Sequence, residues 1–226
     1  MAKTIIIGGS RGIGSSILDL LIDKECINLS RSQQSPIHPN HKYINLDITN
    51  SEFPEIENVK TLIYCPGTIN LKPFGSLNEE DFMNDLQINF LGAVKAIKHY
   101  FRTMKKQENA SIVLFSTVAV SQGMPFHASI ASAKGAIEGL TRSLAAEFAP
   151  KIRVNCIAPT LTNTPLAATI LRNDEALERS NNRHPLKKIN SPEDVSSMVN
   201  YLISENAKNI TGQIFHIDGG LSTLKL

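Results

Sequence analysis

The sequence predicts an α/β fold: a doubly wound parallel sheet of about seven strands with helices on both faces. Three observations predict it. Apolar runs of strand length alternate with amphipathic stretches of helix length along the chain. A glycine-rich turn, Gly8-Gly9-Ser10-Arg11-Gly12-Ile13-Gly14, joins the first apolar run to the first helical stretch. Residues with chemical reach, among them Ser30-Arg31, Asp47, Gly67, Thr117 and Thr160, fall at the carboxyl ends of the apolar runs, where parallel sheets bind ligands.

The 226 residues, 42% of them hydrophobic, suffice for one sizeable core and one domain spanning 1–226. A net charge of +2 with no basic block argues against nucleic acid or a membrane surface as the main partner. The three cysteines, Cys26, Cys65 and Cys156, lie in apolar runs. Their odd number and lack of metal-ligand spacing read as reduced core residues of a cytoplasmic protein that binds no metal. The start runs from Met-Ala-Lys straight into a strand, and no apolar run is long enough to span a bilayer.

Taken in order, strand Thr4–Ile7, the glycine turn and helix Ser15–Ile22 make a phosphate cradle. Glycines let backbone N–H groups approach a pyrophosphate, and the positive end of the helix favours its charge. The context of strand before and helix after is what gives the motif weight. A second strand, Glu25–Leu29, ends in Ser30-Arg31-Ser32, where the adenosine ribose of a dinucleotide lies. An acid there accepts from a free 2′-hydroxyl, whereas a cation pairs with a 2′-phosphate. Arg31 here, and Arg11 in the turn, point to NADP(H).

The connection Gln33–His41 holds Pro36 and Pro39 and is too short for a crossover helix. Strand Lys42–Leu46 delivers Asp47 and Ile48, as an adenine contact or as a cap for a helix after Asn50. Strand Thr61–Cys65 ends in Pro66-Gly67, a backbone that a ligand can approach. Ser76-Leu77-Asn78-Glu79 reads as a capping box opening one long helix to about Gln107, apolar at Phe82, Leu86, Phe90, Ala93, Ile97, Phe101 and Met104. Asn89 sits beside that stripe and needs partners, either neighbouring backbone or a water in a site.

Strand Ser111–Phe115 leads to Ser116-Thr117-Val118 and helix His127–Phe148, with Glu138 and Arg142 one turn apart and small residues at Ala131, Gly135, Ala136 and Gly139. A helix apolar over so much of its surface is sandwiched in the core or packs on its own copy, which favours a homodimer or homotetramer. Strand Ile152–Ala158 ends in Pro159-Thr160. The helix-capable stretch Thr162–His184, within a substrate segment spanning 160–190, is placed to act as a lid. Ser191-Pro192-Glu193-Asp194 opens another helix, and the last strand, Gln213–Ile217, runs into Asp218-Gly219-Gly220.

With these motifs in place, nearly the whole chain resembles the short-chain dehydrogenase/reductase family, a Rossmann-type group of nicotinamide-dependent oxidoreductases. Gly8 to Gly14 resembles its cofactor turn, Asp47-Ile48 its adenine contact, and Tyr64-Cys65-Pro66-Gly67 stands where Asn-Asn-Ala-Gly is usual. Asn155 to Pro159 with Thr162 is similar to its nicotinamide loop, with Thr160 for the usual glycine, and Ile217-Asp218-Gly219-Gly220 to its C-terminal signature. The family's catalytic set is Asn, Ser, Tyr and Lys. The resemblance assigns Asn89, Thr117 and Lys134 to three of these places, with Lys134 also on the nicotinamide ribose and Pro159, Thr160 and Thr162 on the nicotinamide. The tyrosine place holds Ile130, in Ile130-Ala131-Ser132-Ala133-Lys134, which cannot exchange a proton. His127 stands at the seven-residue tyrosine-to-lysine spacing of the related enoyl reductases and is the candidate substitute donor. The resemblance thus implies NADP(H)-dependent hydride transfer to a small carbonyl, activated alkene or imine with altered proton delivery. The alternative is an NADP(H)-binding protein without reductase activity.

Overall fold

The structure is a computed structural model that describes residues 2–32 and 38–225. The expectation for Gln33–Ile37 lies outside the described residues. The described residues form seven strands and six helices in the order β1 (Lys3–Ile7), α1 (Gly12–Leu20), β2 (Cys26–Ser30), β3 (His41–Asn45), β4 (Val59–Tyr64), α2 (Glu79–Leu86), α3 (Gly92–Met104), β5 (Ala110–Phe115), α4 (Ala128–Phe148), β6 (Ile152–Pro159), α5 (Asp174–Asn182), α6 (Pro192–Leu202) and β7 (Ile214–Ile217). They form one sheet in the order β3-β2-β1-β4-β5-β6-β7 with every neighbouring pair parallel. The order reverses between β1 and β4, so the crevice for a dinucleotide opens at their carboxyl ends.

Side chains alternate across a strand, and β1 shows what that does to an unbroken apolar run. Ile5 and Ile7 point into the layer shared with α3 and α4, with Tyr100, Ile112 and Ile137. Ile6 points to the opposite layer, with Ile17 of α1 and Val195 and Val199 of α6. Each such isoleucine contributes about 1.5–3 kcal/mol on burial. On that second face the Ser16 and Ser196 hydroxyls bond at 2.8 Å where α1 crosses α6.

Two expectations need correction. The capping box lies two residues later than Ser76: Asp81 N–H donates to Asn78 Oδ1 at 2.9 Å and Asn78 N–H to Asp81 Oδ2 at 3.1 Å. Phe74–Ser76 is taken up instead in a short 3-10 turn. The long helix is not continuous, because one π turn, Gln87–Leu91, separates α2 from α3. The helix-capable stretch 162–184 does carry a helix, the nine-residue α5, preceded by a 3-10 turn, Pro165–Ala167. No helix among the described residues is long and apolar enough to cross a membrane.

Candidate active site

The glycine turn is built by sterics. Gly8 and Gly12 adopt φ of +79° and +57°, the left-handed region that side chains resist. A Cβ on Gly14 would stand 2.2 Å from the Gly8 carbonyl oxygen, so only hydrogen lets the first turn of α1 close onto β1. Gly9 N–H donates to Asn28 Oδ1 at 3.0 Å, which fixes the turn to β2. The Ser10 hydroxyl lies against the Ser30 hydroxyl and the Ser32 carbonyl, tying the turn to the end of β2. Arg11, the residue before α1, and Arg31 both project into solvent, and no acidic residue occupies the first turn of α1.

Asp47 does not cap a helix. Its Oδ1 accepts from the Thr49 hydroxyl at 2.7 Å and the Thr49 N–H at 3.0 Å. Those bonds, hydroxyl first, hold the carboxyl below the usual aspartate value, with the Arg31 charge adding to them. Asp47 Oδ2 makes no hydrogen bond among the described residues. Ile48 packs against the core beside Gly92.

A cavity of about 270 Å³ lies beyond the carboxyl ends of β4, β5 and β6. Ile13, Gly67, Thr117, His127, Ile130, Lys134, Pro159, Thr160 and Thr162 all border it, whereas Asn89, the rest of the glycine turn, Ser30, Arg31, Asp47 and Ile48 are not part of its lining. Lys134 is buried and its Nζ donates to the Phe115 carbonyl at 2.9 Å. Gly67 runs past it, so close that a Cβ there would lie 3.3 Å from Asn89 Oδ1 and 3.5 Å from Lys134 Nζ. Thr117 Oγ1 accepts from the Ala119 N–H at 3.3 Å, which leaves the hydroxyl hydrogen for a ligand. Ser116 is committed elsewhere, donating to Glu138 Oε1 at 2.8 Å. His127 lies just before α4 with Nδ1 2.7 Å from the Pro125 carbonyl. A carbonyl only accepts, so Nδ1 carries the proton and Nε2 is free to face a ligand.

Asn89 is set by the π turn and serves the wall from behind. Its Nδ2 donates to Thr68 Oγ1 and to the Asp85 carbonyl, each at 2.8 Å. It thereby takes the first of its two expected partnerships, neighbouring groups of the chain. Asp85, only 2% exposed, accepts from the Thr68 hydroxyl and from Ser129 Oγ at 2.5 Å, next to Ile130. Sequence reasoning missed this carboxylate because it sits on the apolar stripe of α2. Ile130 is 5% exposed and forms cavity wall. No tyrosine lines the cavity among the described residues: the Tyr64 hydroxyl donates to the Ile88 carbonyl at 2.6 Å and that of Tyr100 to the Pro54 carbonyl at 2.9 Å. Cys65, expected in the core, is only half-buried and borders the cavity because Pro66 turns the chain there.

A tropinone reductase homolog of Datura stramonium is 31% identical over 96% of this chain and 90% of its own length. Residues 50–222 match a family model described as enoyl-(acyl carrier protein) reductase. The chain belongs to the short-chain dehydrogenase/reductase family. Among solved structures, aldohexose dehydrogenase of Thermoplasma acidophilum superposes with a TM-score of 0.90 at 26% identity, covering 99% of this chain and 95% of that one. ElxO with NADP bound does so at 0.88 and 26% identity, covering 99% and 100%. Two features of this member of that family of oxidoreductases bear on its chemistry.

The first is at the loop after β6. Thr160 replaces the expected glycine, and its hydroxyl donates to His184 Nε2 at 2.8 Å while His184 Nδ1 donates to the Ser180 carbonyl at 2.8 Å. A histidine 3% exposed thus ties α5 to the end of β6. The Thr162 hydroxyl is buried and donates to the Thr160 carbonyl at 3.0 Å. Thr164, which sequence reasoning passed over, has its hydroxyl unbonded among the described residues, borders the cavity and reaches within 3.0 Å of a Cβ placed on Gly12. It links the glycine turn to the cavity, a connection between segments that no local pattern signals.

The second concerns Lys134. Burial pushes its pKa down from 10.5 to about 8, against the pull of Cys156, Cys65 and Asp85. Between those two values the unfolded chain holds a proton that the folded chain has lost, so stability rises with pH across that window. Below about pH 8 both states are charged and the desolvation cost is present in full. Lys134→Met is therefore expected to raise the melting midpoint at neutral pH, to abolish the rise above pH 8 and to weaken NADPH binding. Thermal unfolding across that pH range, with NADPH titration, checks this; a less stable Met variant at neutral pH would show that the lysine is a net structural contributor.

Proposed function

We propose that the chain is an NADP(H)-dependent oxidoreductase acting on a small organic substrate whose carbonyl, or activated alkene or imine, meets the cavity wall at Thr117 and His127. The observation that carries this reading is the convergence of Thr117, His127 and Lys134 on one cavity next to a glycine turn in which a Gly14 side chain would not fit. The bound nicotinamide supplies or accepts the hydride. Backbone N–H groups of Gly8 to Gly14 would hold the pyrophosphate, and Asp47 and Ile48 the adenine. Ser30, Arg31 and Arg11 would surround the 2′-phosphate. Lys134 and Gly67 would position the nicotinamide ribose, with Pro159, Thr160 and Thr162 behind the ring. Thr117 would donate to the substrate oxygen, Asn89 would brace Thr68 and Gly67, and His127 would deliver a proton from Nε2 when protonated.

Gly139 of α4 faces open space, which suits a helix that meets a second copy in a homodimer or homotetramer, and the reading places the protein in the cytoplasm. Fluorescence titration tests the cofactor. NADPH is expected to bind at least about tenfold more tightly than NADH, and Arg31→Asp to reverse the order, as loss of a charge-assisted pair requires. Binding of neither nucleotide would end the oxidoreductase reading.

A further inference from the structure

The cavity wall carries basic side chains and, among the described residues, no acidic ones. Lys134, Arg183, His127 and His184 line it. Three of the four are engaged with the chain: Lys134 with the Phe115 carbonyl, His184 with Thr160 and Ser180, and His127 through Nδ1 with Pro125. The guanidinium of Arg183 makes no hydrogen bond or ion pair among the described residues. Carboxylates behind the wall are already satisfied. Asp85 accepts from the Thr68 and Ser129 hydroxyls, and Glu138 from Ser116 and Arg142.

We infer that the substrate carries a carboxylate that Arg183 holds at the cavity mouth, so that its reactive carbon is presented to Thr117 and His127. The inference rests on the oxidoreductase reading and names the substrate class for it. Arg183 stands just after α5, whose first turn is fixed by Asn173 Oδ1 accepting from the Ala176 N–H at 2.8 Å. The next residue, His184, is tethered to β6 through Thr160. The backbone that carries the guanidinium is thus held at both ends, and a planar guanidinium matches a carboxylate with two parallel hydrogen bonds. The lining also includes Leu71, Val118, Leu166 and Ile170, apolar side chains that suit a hydrocarbon body. An ammonium substrate would find no carboxylate among the described lining residues and would face Arg183 and Lys134.

The test uses benzoate and its neutral isostere benzamide as probes, titrated calorimetrically into the whole protein with and without saturating NADP+, for wild type and Arg183→Gln. NADPH affinity of both proteins is measured alongside. Wild type is expected to bind benzoate about tenfold more tightly than benzamide, as a charge-assisted pair provides. Arg183→Gln should erase that preference and leave benzamide and NADPH affinities unchanged. Equal binding of the two probes by wild type overturns the inference. So does a Gln variant that keeps the preference, or one that loses NADPH affinity instead, which would give the guanidinium to the cofactor. Failure of NADPH to bind wild type would fell the oxidoreductase reading while leaving the comparison of the probes readable on the free protein.

Discussion

Ile130→Tyr is expected to raise NADPH-dependent ketone reduction by about 10²- to 10⁴-fold, the usual worth of a positioned general acid. Ile130 lies on the cavity wall one turn before Lys134, where side chains at i and i+4 meet on a helix face. A phenol there would have the lysine ammonium beside it, and a nearby cation favours the phenolate and makes the proton easier to give. Asp85, held by Ser129 next door, keeps that stretch of α4 fixed to α2, so the new side chain enters a settled backbone. The companion variant is His127→Ala. If wild type turns over and the alanine variant loses most of its rate, the imidazole is the native proton source. Turnover by the tyrosine variant alone would make the natural chain a cofactor-binding protein without reductase activity. No gain from tyrosine would show that proton transfer does not limit the natural reaction.

Gly14→Ala is expected to weaken NADPH binding by about 100-fold, equivalent to losing one or two charge-assisted hydrogen bonds, and to cost about 3 kcal/mol or more of stability. The new methyl would meet the Gly8 carbonyl at 2.2 Å and the Gly9 Cα at 2.9 Å, both backbone atoms with no rotamer to retreat into. Either α1 moves off the end of β1 or the turn opens, and in both cases the N–H groups lose their common focus. Gly75→Ala is the control, since nothing lies within 4 Å of a Cβ there. Comparable losses in the two variants, read by titration and thermal unfolding, would refute the steric argument.

The fold was legible because it is written in local patterns. Unbroken isoleucine and valine runs read as strands buried on both faces, and the glycine turn stands where backbone must pass closest. Ser191 heads α6 with Asp194 as its reciprocal partner, as its sequence advertises. What escaped notice depends on relations between segments. The π turn has no composition of its own, and it was invisible until Tyr64 was seen donating to the Ile88 carbonyl and filling the space above Gly92. Asp85 is a carboxylate on an apolar stripe, and only packing brings Thr68 and Ser129, from two other segments, to it. The partnership of Thr160 with His184 spans 24 residues and joins a strand end to a helix end. Such pairings are set by packing and not by propensity.

The π turn at Gln87–Leu91 also bears on how this site is written in the chain. An α-helix advances by about 100° per residue, so a turn holding one extra residue rotates everything after it by that much. Asn89 faces Thr68 and Gly67 while Ala93, Ile97 and Met104 of α3 face the core, and the two orientations coexist because of that added residue. In coding terms the bracing of the cavity wall is held by chain length as well as by side-chain identity. Deleting a single codon here would keep the identity of every other functional residue and shift Asn89 against Ala93, Ile97 and Met104 by about 100°.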